Sequence, residues 1–592
     1  MSEGRSRLDP ITLQIIGGAL STIAKEMGYV LYRMAYSSII RESEDLGAGI
    51  FDLELNTLCE SDSTPMHIGS IPGYLEGALR NLDVEQLRPG DVIIHNHPYH
   101  GASHSPDIAV IMPVFYEGRL IAYSANTAHH LDIGAATPGI MIDVVDVFSE
   151  GMLMNAVKLF EEGKRNETIW SFIRGNTRTP MYLEGDLEAQ VASVRLGARR
   201  YVELLDRYGR ETVLQAEREL MDYSERMMRK ALAEVPDGEY YAEGYLDDDG
   251  KNRDKPLKVS ITVRIQGDSA EVDFEGSSPQ VETAFNVPFS GSTRVAMYFV
   301  FRAILLDTAV VEEYVPQNQG SFRPFRVKAP EGSIYNPRFP ASCEARFAQV
   351  NKAADLVIKA LAPVIPERVT AGNSATLSFI SYSGTDPETG YWIFLEVNEG
   401  SYGGRPVRDG VDSVDCLIAN TRNNPVEDLG MHLPLVCDRY ELRDGDAAAG
   451  EFRGGIGIVK EQRFLKDGII THEADGHFEA PWGFRGGESG RPGRVVRYNV
   501  ADREGSWTDL PAKFSGIRCK AGDVIRIETP CAGGYGDPLD REPQRVWEDV
   551  LDGFTSEEKA RGVYGVVFAA EGPDLDATER ERQRLREARG RA

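Results

Sequence analysis

Residues 95–107, "HNHPYHGASHSPD", hold His95, His97, His100 and His104, and "ANTAHHLD" a little further on adds His129 and His130. The chain has only ten histidines in 592 residues, so more than half of its imidazoles fall in two neighbouring segments. Two or three imidazoles beside a carboxylate such as Asp107 form a ligand set suited to a divalent transition metal: zinc, or alternatively manganese or iron. No cysteine is near, which disfavours copper(I) or an iron–sulfur cluster. A polar loop with local hydrogen bonds is the alternative, and it is the better reading for His95 and His100 taken singly. Convergence of both segments favours a metal for the rest.

The elements that must position these residues can be read around them. Ser105 precedes Pro106, which biases the backbone to extended conformations, so His104 and Asp107 belong to a loop running into a strand rather than to one helix face. The runs "DIAVIMPVF" and "RLIAYSAN" are short, apolar and bounded by turn residues, and Glu117-Gly118 between them suits a β-hairpin. A two-residue loop there sets Asp107 opposite Ala128, and a three-residue loop sets it opposite His129. Opposed residues lie about 5 Å apart, so either register brings "HSPD" beside "AHHLD". One residue of slip exchanges the faces of His129 and His130, and both remain candidates.

Around this hairpin the chain reads as α+β, large and multi-lobed. "LDPITLQIIGGALSTIAKEMGYVLYRMAYSSII" predicts a long helix, with Asp9 as N-cap, Pro10 in the first turn, and apolar residues at helical spacing from Leu13 to Met34. Helical patterns return in "IPGYLEGALRNL" and across 183–234, while "DVIIHN" adds a further strand. From about 236 the character turns β-rich ("KVSITVRI", "SAEVDFEG", "GIVKEQRFL", "GRVVRYNV"), interrupted by helices near 291–309 and 345–362. The expected organisation is an α+β lobe over 9–235 carrying the hairpin, a β-rich lobe over 236–540, a helical segment over 541–567 and a charged tail over 568–592, read as a frayed or solvated helix.

Bulk properties narrow the function. The formal net charge of −27 opposes binding to nucleic-acid phosphates or anionic membranes. No stretch approaches the roughly 20 apolar residues of a membrane span, and "MSEGRSRLDP" carries no apolar signal region, so a cytoplasmic location is expected. The six cysteines lie far apart without a Cys-x-x-Cys pair, which excludes a zinc ribbon or thioredoxin-type site and leaves them as reduced small hydrophobes. The glycine-rich stretches "GSYGGRP", "FRGGIG", "PWGFRGG" and "CAGGYGDP" match neither a P-loop nor a dinucleotide fingerprint. Turns and bulges account for them as well as phosphate cradles do.

The stretch "GDVIIHNHPYHGASHSPDIAVIMPVF" followed by "AHHLDIG" resembles the B-type subunit of the hydantoinase/oxoprolinase family, where N-D-P-Y-x-G-G-T-H-x-P-D is the common form. "HIGSIPG", "NTRTP…GDLEAQVAS", "DFEGSSPQ", "YNPRFPA", "GGRPVRDG", "FRGGIGIVKE" and "CAGGYGDPLDREPQRVWEDV" are similar to that family too, over about residues 9–567. His97 stands where the family has Asp, and Gly101-Ala102-Ser103 where it has G-G-T.

The resemblance implies a large subunit working with an A-type partner, in a heterodimer or heterotetramer. The partner has an actin-like fold, binds ATP and magnesium, and phosphorylates an amide or carbonyl oxygen of a small cyclic amide or ketone. It also implies His104, Asp107 and His129 as metal ligands, with His97, His130 and Asp132 as candidates for orienting them or transferring protons. Phosphorylation turns a resonance-stabilised amide oxygen into a leaving group, and water activated at the metal then completes ring opening. Three functions follow: a subunit of an ATP-dependent cyclic-amide hydrolase acting on a hydantoin, lactam or 5-oxoproline-like ring, a subunit of an acetone- or acetophenone-type carboxylase, or a non-catalytic scaffold for the A-type chain. The first is the expectation.

Overall fold

A computed structural model describes residues 7–308, 313–374, 378–445, 447–500 and 506–590. The chain opens with α1 (Pro10–Met34), and the Asp9 carboxylate accepts from the Thr12 N–H at 2.9 Å as an N-cap should. Ile16, Leu20, Ile23, Met27 and Leu31 are buried on one stripe, while Met34 is half exposed. The helix stops sooner than its sequence predicts. The N–H groups of Tyr36 and Ser37 turn out to the Asp186 carboxylate at 2.7 and 3.0 Å, and a separate turn, α2 (Ser38–Arg41), follows.

The next elements build one antiparallel sheet: β1 (Leu46–Phe51), β2 (Thr57–Glu60), α3 (Pro65–Arg80), β3 (Val92–His95), β4 (Asp107–Tyr116), β5 (Arg119–His129), β6 (Val157–Glu161) and β7 (Lys164–Arg165). Its strand order is β2-β1-β5-β4-β3-β6-β7. After α4 (Glu167–Gly175), helices α5 (Pro180–Tyr208) and α6 (Arg210–Leu232) follow, broken at Gly209, whose φ of 81° ends the first. One sheet face packs on α1 through Ala48, Ile50 and Val114 and on α5 through Ile108 and Val110, and the other packs on α3 through Ile111, Tyr123 and Ala125.

Beyond residue 235 come β8 (Gly238–Leu246), β9 (Leu257–Gln266), β10 (Ser269–Asp273), α7 (Arg294–Leu305), β11 (Phe325–Lys328) and α8 (Phe347–Leu361). Strands β8 to β11 form one sheet, in the order β11-β10-β9-β8. The rest contains β12 (Ser378–Asp386), β13 (Gly390–Asn398), α9 (Val426–His432), β14 (Leu435–Leu442), β15 (Ile458–Phe464), β16 (Gly468–Glu473), β17 (Arg494–Tyr498), β18 (Trp507–Leu510), β19 (Lys513–Cys519) and β20 (Val524–Glu528). Sheets β13-β12-β16-β19 and β14-β15-β20-β17-β18 share one apolar cluster, with Tyr382 and Phe394 from the first and Phe464, Val495 and Ile527 from the second. The architecture is mixed α+β. Among the described residues no helix is long and apolar enough to cross a membrane.

The four glycine stretches meet one another. The Gly404 N–H donates to the Gly533 carbonyl at 2.9 Å and the Ala532 N–H to that of Gly455 at 3.0 Å. A Cβ on Gly454 would stand 2.1 Å from the Ala532 carbonyl oxygen, and one on Gly533 would stand 2.0 Å from that of Trp482. These glycines let backbone pack on backbone.

The chain ends with α10 (Pro543–Leu551), α11 (Glu557–Gly562), a small hairpin and α12 (Leu575–Arg589). Most of α12 faces solvent, as a solvated helix does, but it is anchored rather than frayed. Arg582 is buried and donates to the carbonyls of Tyr564 and Arg541. The helix is highly polar, so the anchoring comes from hydrogen bonds to backbone rather than from an apolar face.

Candidate metal centre

The hairpin sets the site's geometry. Glu117 and Gly118, with φ of 50° and 75°, make a two-residue turn that pairs Tyr116 with Arg119. A bulge beside Val114 and Phe115 then shifts the pairing by one residue, and Asp107 lies opposite His129. Both registers open in the sequence are therefore used, one at the turn and the other at the site. Alternation puts Asp107 and His129 on the α3 face, with Ile111 and Ala125, and sends His130 to the α5 face.

Three donor atoms converge. His104 Nε2 and His129 Nδ1 each lie 2.9 Å from Asp107 Oδ1 and 3.3 Å from each other. One donor from each of these three buried residues falls within 4.8 Å of the others. Their surroundings orient them for a cation. His104 Nδ1 lies 2.7 Å from the Glu344 carbonyl oxygen, to which it must donate, so Nε2 keeps its lone pair for the cluster. Asp107 Oδ2 accepts from Arg346 Nη2 at 2.8 Å and from Ser103 Oγ at 2.5 Å, leaving Oδ1 to face the histidines.

Burial and the Arg346 charge hold His104 down to about 4, so its imidazole is neutral, as a ligand requires. Burial alone would raise Asp107, but His104, His67 and Arg346 outweigh it and hold the carboxylate well below its usual range. Two imidazole nitrogens and an anionic oxygen, turned toward one another, fit zinc, manganese or iron.

Asp45 and His67 escaped the sequence reading. His67, in the first turn of α3, places Nε2 2.9 Å from Asp45 Oδ1 and 3.8 Å from Asp107 Oδ1, while its Nδ1 lies 3.3 Å from Thr127 Oγ1. Burial lowers its pKa, but Asp107 and Asp45 prevail and raise it. The motif "HIGSIPG" was the only signal for it. A void of about 30 Å³ adjoins these groups, walled on its far side by Ile140, Phe347, Phe379, Val397 and Ala419, with Thr421 at the edge. That is room for one or two water-sized species.

The other candidates lie outside the cluster. His130 is buried against α5, its Nε2 3.0 Å from Gln190 Oε1, and burial pushes it down to about 3. Asp132 is bound by Arg178 Nη1 at 2.7 Å and by the Arg178 and Gly134 N–H groups, and its carboxylate secures the loop before α5. His97 stacks on His100 at 4.2 Å, with burial holding it at about 4. His95 Nε2 is 2.9 Å from the His100 carbonyl oxygen, so both serve the polar loop.

Known proteins resemble this chain over nearly its whole length. A protein of Pseudomonas sp. (strain NS671), named as a putative D-/L-hydantoinase subunit of the B type, is 47% identical over 572 residues, which are 95% of this chain and 96% of that protein. The crystal structure of the ATP-dependent caprolactamase from Pseudomonas jessenii matches 98% of this chain and all of its own at a TM-score of 0.88 and 30% identity. A nucleotide-free acetone carboxylase shares the fold at a TM-score of 0.89, with 20% identity over 98% of this chain and 83% of that one. The family model of Hydantoinase B/oxoprolinase covers residues 9–538, and the chain belongs to that family.

Proposed function

We propose that this chain is the B-type subunit of an ATP-dependent cyclic-amide hydrolase, completing ring opening of an intermediate phosphorylated by an A-type partner. The observation that carries this reading is the buried convergence of His104, Asp107 and His129 on a void the size of a water. The names of the relatives, hydantoinase and caprolactamase, select a cyclic amide among the substrates such a centre could take.

His104 Nε2, Asp107 Oδ1 and His129 Nδ1 would hold the metal. When bound, a divalent ion there would polarise the substrate and make water more acidic. The residues of the chain do the remainder. Glu344 and Arg346, from the second half of the chain, fix the orientation of His104 and Asp107. His67, between Asp45 and Asp107, holds a proton at Nε2 beside the cluster and can pass it to the departing nitrogen. The apolar wall keeps bulk water from the activated intermediate. The glycine stretches are occupied by backbone packing, and nucleotide binding is assigned to the partner.

The test is the complex reconstituted with its A-type partner, supplied with ATP and with hydantoins, lactams, or ketones plus bicarbonate. Phosphate and organic product are measured in the same tubes. His129→Ala should leave ATP hydrolysis running while ring opening falls at least roughly a hundredfold. A strictly proportional loss of both would place the need for His129 before phosphorylation and overturn the sequence of steps. Carboxylated ketone in place of opened rings would overturn the reaction class.

A further inference from the structure

A second cavity, of about 350 Å³, opens between the edge strand β2, helix α3, the π-helical turn Phe289–Thr293 leading into α7, and the short helical turn Gln319–Phe322. Its volume lies in the range of small-molecule pockets. It is built from residues other than those of the metal centre. Helix α3 stands between the two: its first turn gives His67 to the centre, and its Gly69 and Gly73 line this cavity.

Two charged groups in the lining are incompletely paired. Glu60, at the end of β2, is 7% exposed. Its Oε2 accepts from Gln317 Nε2 at 2.8 Å, but its Oε1 is buried without a hydrogen-bond partner among the described residues. Leaving a buried carboxyl oxygen unpaired is costly, and native structures rarely do so without a reason. Arg294, also in the lining and partly exposed, makes no ion pair among the described residues. Its guanidinium lies over the Tyr298 ring at 5.8 Å and reaches the Tyr298 hydroxyl only at 3.4 Å. Tyr298 and Phe322, both in the lining, stack at 5.2 Å and give the cavity an aromatic floor.

We infer that this cavity is a binding site for a small zwitterion of amino-acid size, its ammonium held by Glu60, its carboxylate by Arg294 and its aliphatic stem on the aromatic floor. The charges select this class. A simple anion would meet Glu54, Glu60 and Glu76, and a simple cation would meet Arg294, whereas a molecule with both charges satisfies each side. Burial pushes the Glu60 carboxyl up to about 7, against the pull of Gln317 and Arg302, and an ammonium beside the carboxyl would favour its ionised form. This inference stands apart from the proposed reaction and from the metal centre.

Calorimetry on the full chain tests it, with 6-aminohexanoate as the zwitterion and hexylamine and hexanoate as single-charge controls. The zwitterion should bind at least about tenfold more tightly than either control, and Glu60→Gln and Arg294→Gln should each weaken it about tenfold or more. His104→Ala should leave this binding unchanged. Equal binding of a control, undiminished binding in both variants, or loss of binding in His104→Ala would overturn the inference. So would the absence of heat from wild-type protein at about 10 mM ligand, a result that needs no variant to fold.

Discussion

Asp107 is the residue on which the centre turns, because its two oxygens are committed to different tasks. Oδ1 faces both imidazoles at 2.9 Å, and Oδ2 is neutralised by Arg346. Asp107→Asn keeps the shape and removes the negative charge beside the two imidazoles. Elemental analysis should find that Asp107→Asn and His104→Ala lose most of their bound transition metal, while His97→Asn, stacked on His100 away from the cluster, retains it. Full metal in the Asp107 variant would end the ligand assignment. At this scale the sequence was informative where the candidate donors are close in the chain and silent where their neighbours are distant. His104, Asp107 and His129 lie within one strand–turn–strand unit. Arg346 is separated from Asp107 by 239 residues, and nothing local marks a lone Arg, His67 or Asp45 as its neighbours.

Among the elements, the hairpin shows what a periodic pattern leaves open. Alternation and the Glu117-Gly118 turn specify a hairpin, but the bulge near Phe115 depends on packing against helices on both faces, which the pattern of one strand does not encode. Helix α1 likewise follows its stripe until Asp186, from α5, captures the N–H groups that would have continued it. The pair α5 and α6 carries a prediction of its own. Tyr201 of α5 donates to Glu217 Oε1 of α6 at 2.6 Å, and burial pushes that carboxyl up to about 7 despite the bond. The folded chain thus binds this proton more tightly than the unfolded chain does. Stability is lost as pH rises from the ordinary carboxylate range toward about 7, and levels off above it. Glu217→Gln keeps an acceptor for Tyr201 and removes the titration. Its advantage over wild type in chemical denaturation should widen by roughly 2 kcal/mol between about pH 5 and about pH 8. A constant difference across that range would show that the Glu217 proton plays no part in folding.

At the scale of the whole molecule, the sequence shift near residue 236 is real in composition but does not divide the core. One apolar cluster runs from Leu31, Met66 and Leu232 through Val259, Phe301 and Leu356 to Leu395 and Ile418. The metal centre is built across the same boundary. All the candidate donors, with Asp45 and His67, precede residue 235, whereas the groups that orient them, the Glu344 carbonyl and the Arg346 guanidinium, follow it. A chain ending at residue 235 would therefore carry every candidate donor and lack their support. It would also expose Met228 and Leu232, which the second half buries. Such a fragment should bind the hydrophobic dye ANS, and its metal affinity should fall roughly 10- to 100-fold below that of the full chain, the usual loss when the partners of ligands are removed. Titration with zinc against a competing chelator measures the affinity, and dye fluorescence measures the exposed core. A fragment that folds cooperatively and binds zinc as tightly as the full chain would mean that the first half is a self-sufficient metal domain, with Glu344 and Arg346 as bystanders. The 2.7 and 2.8 Å contacts they make with His104 and Asp107 argue for the opposite result.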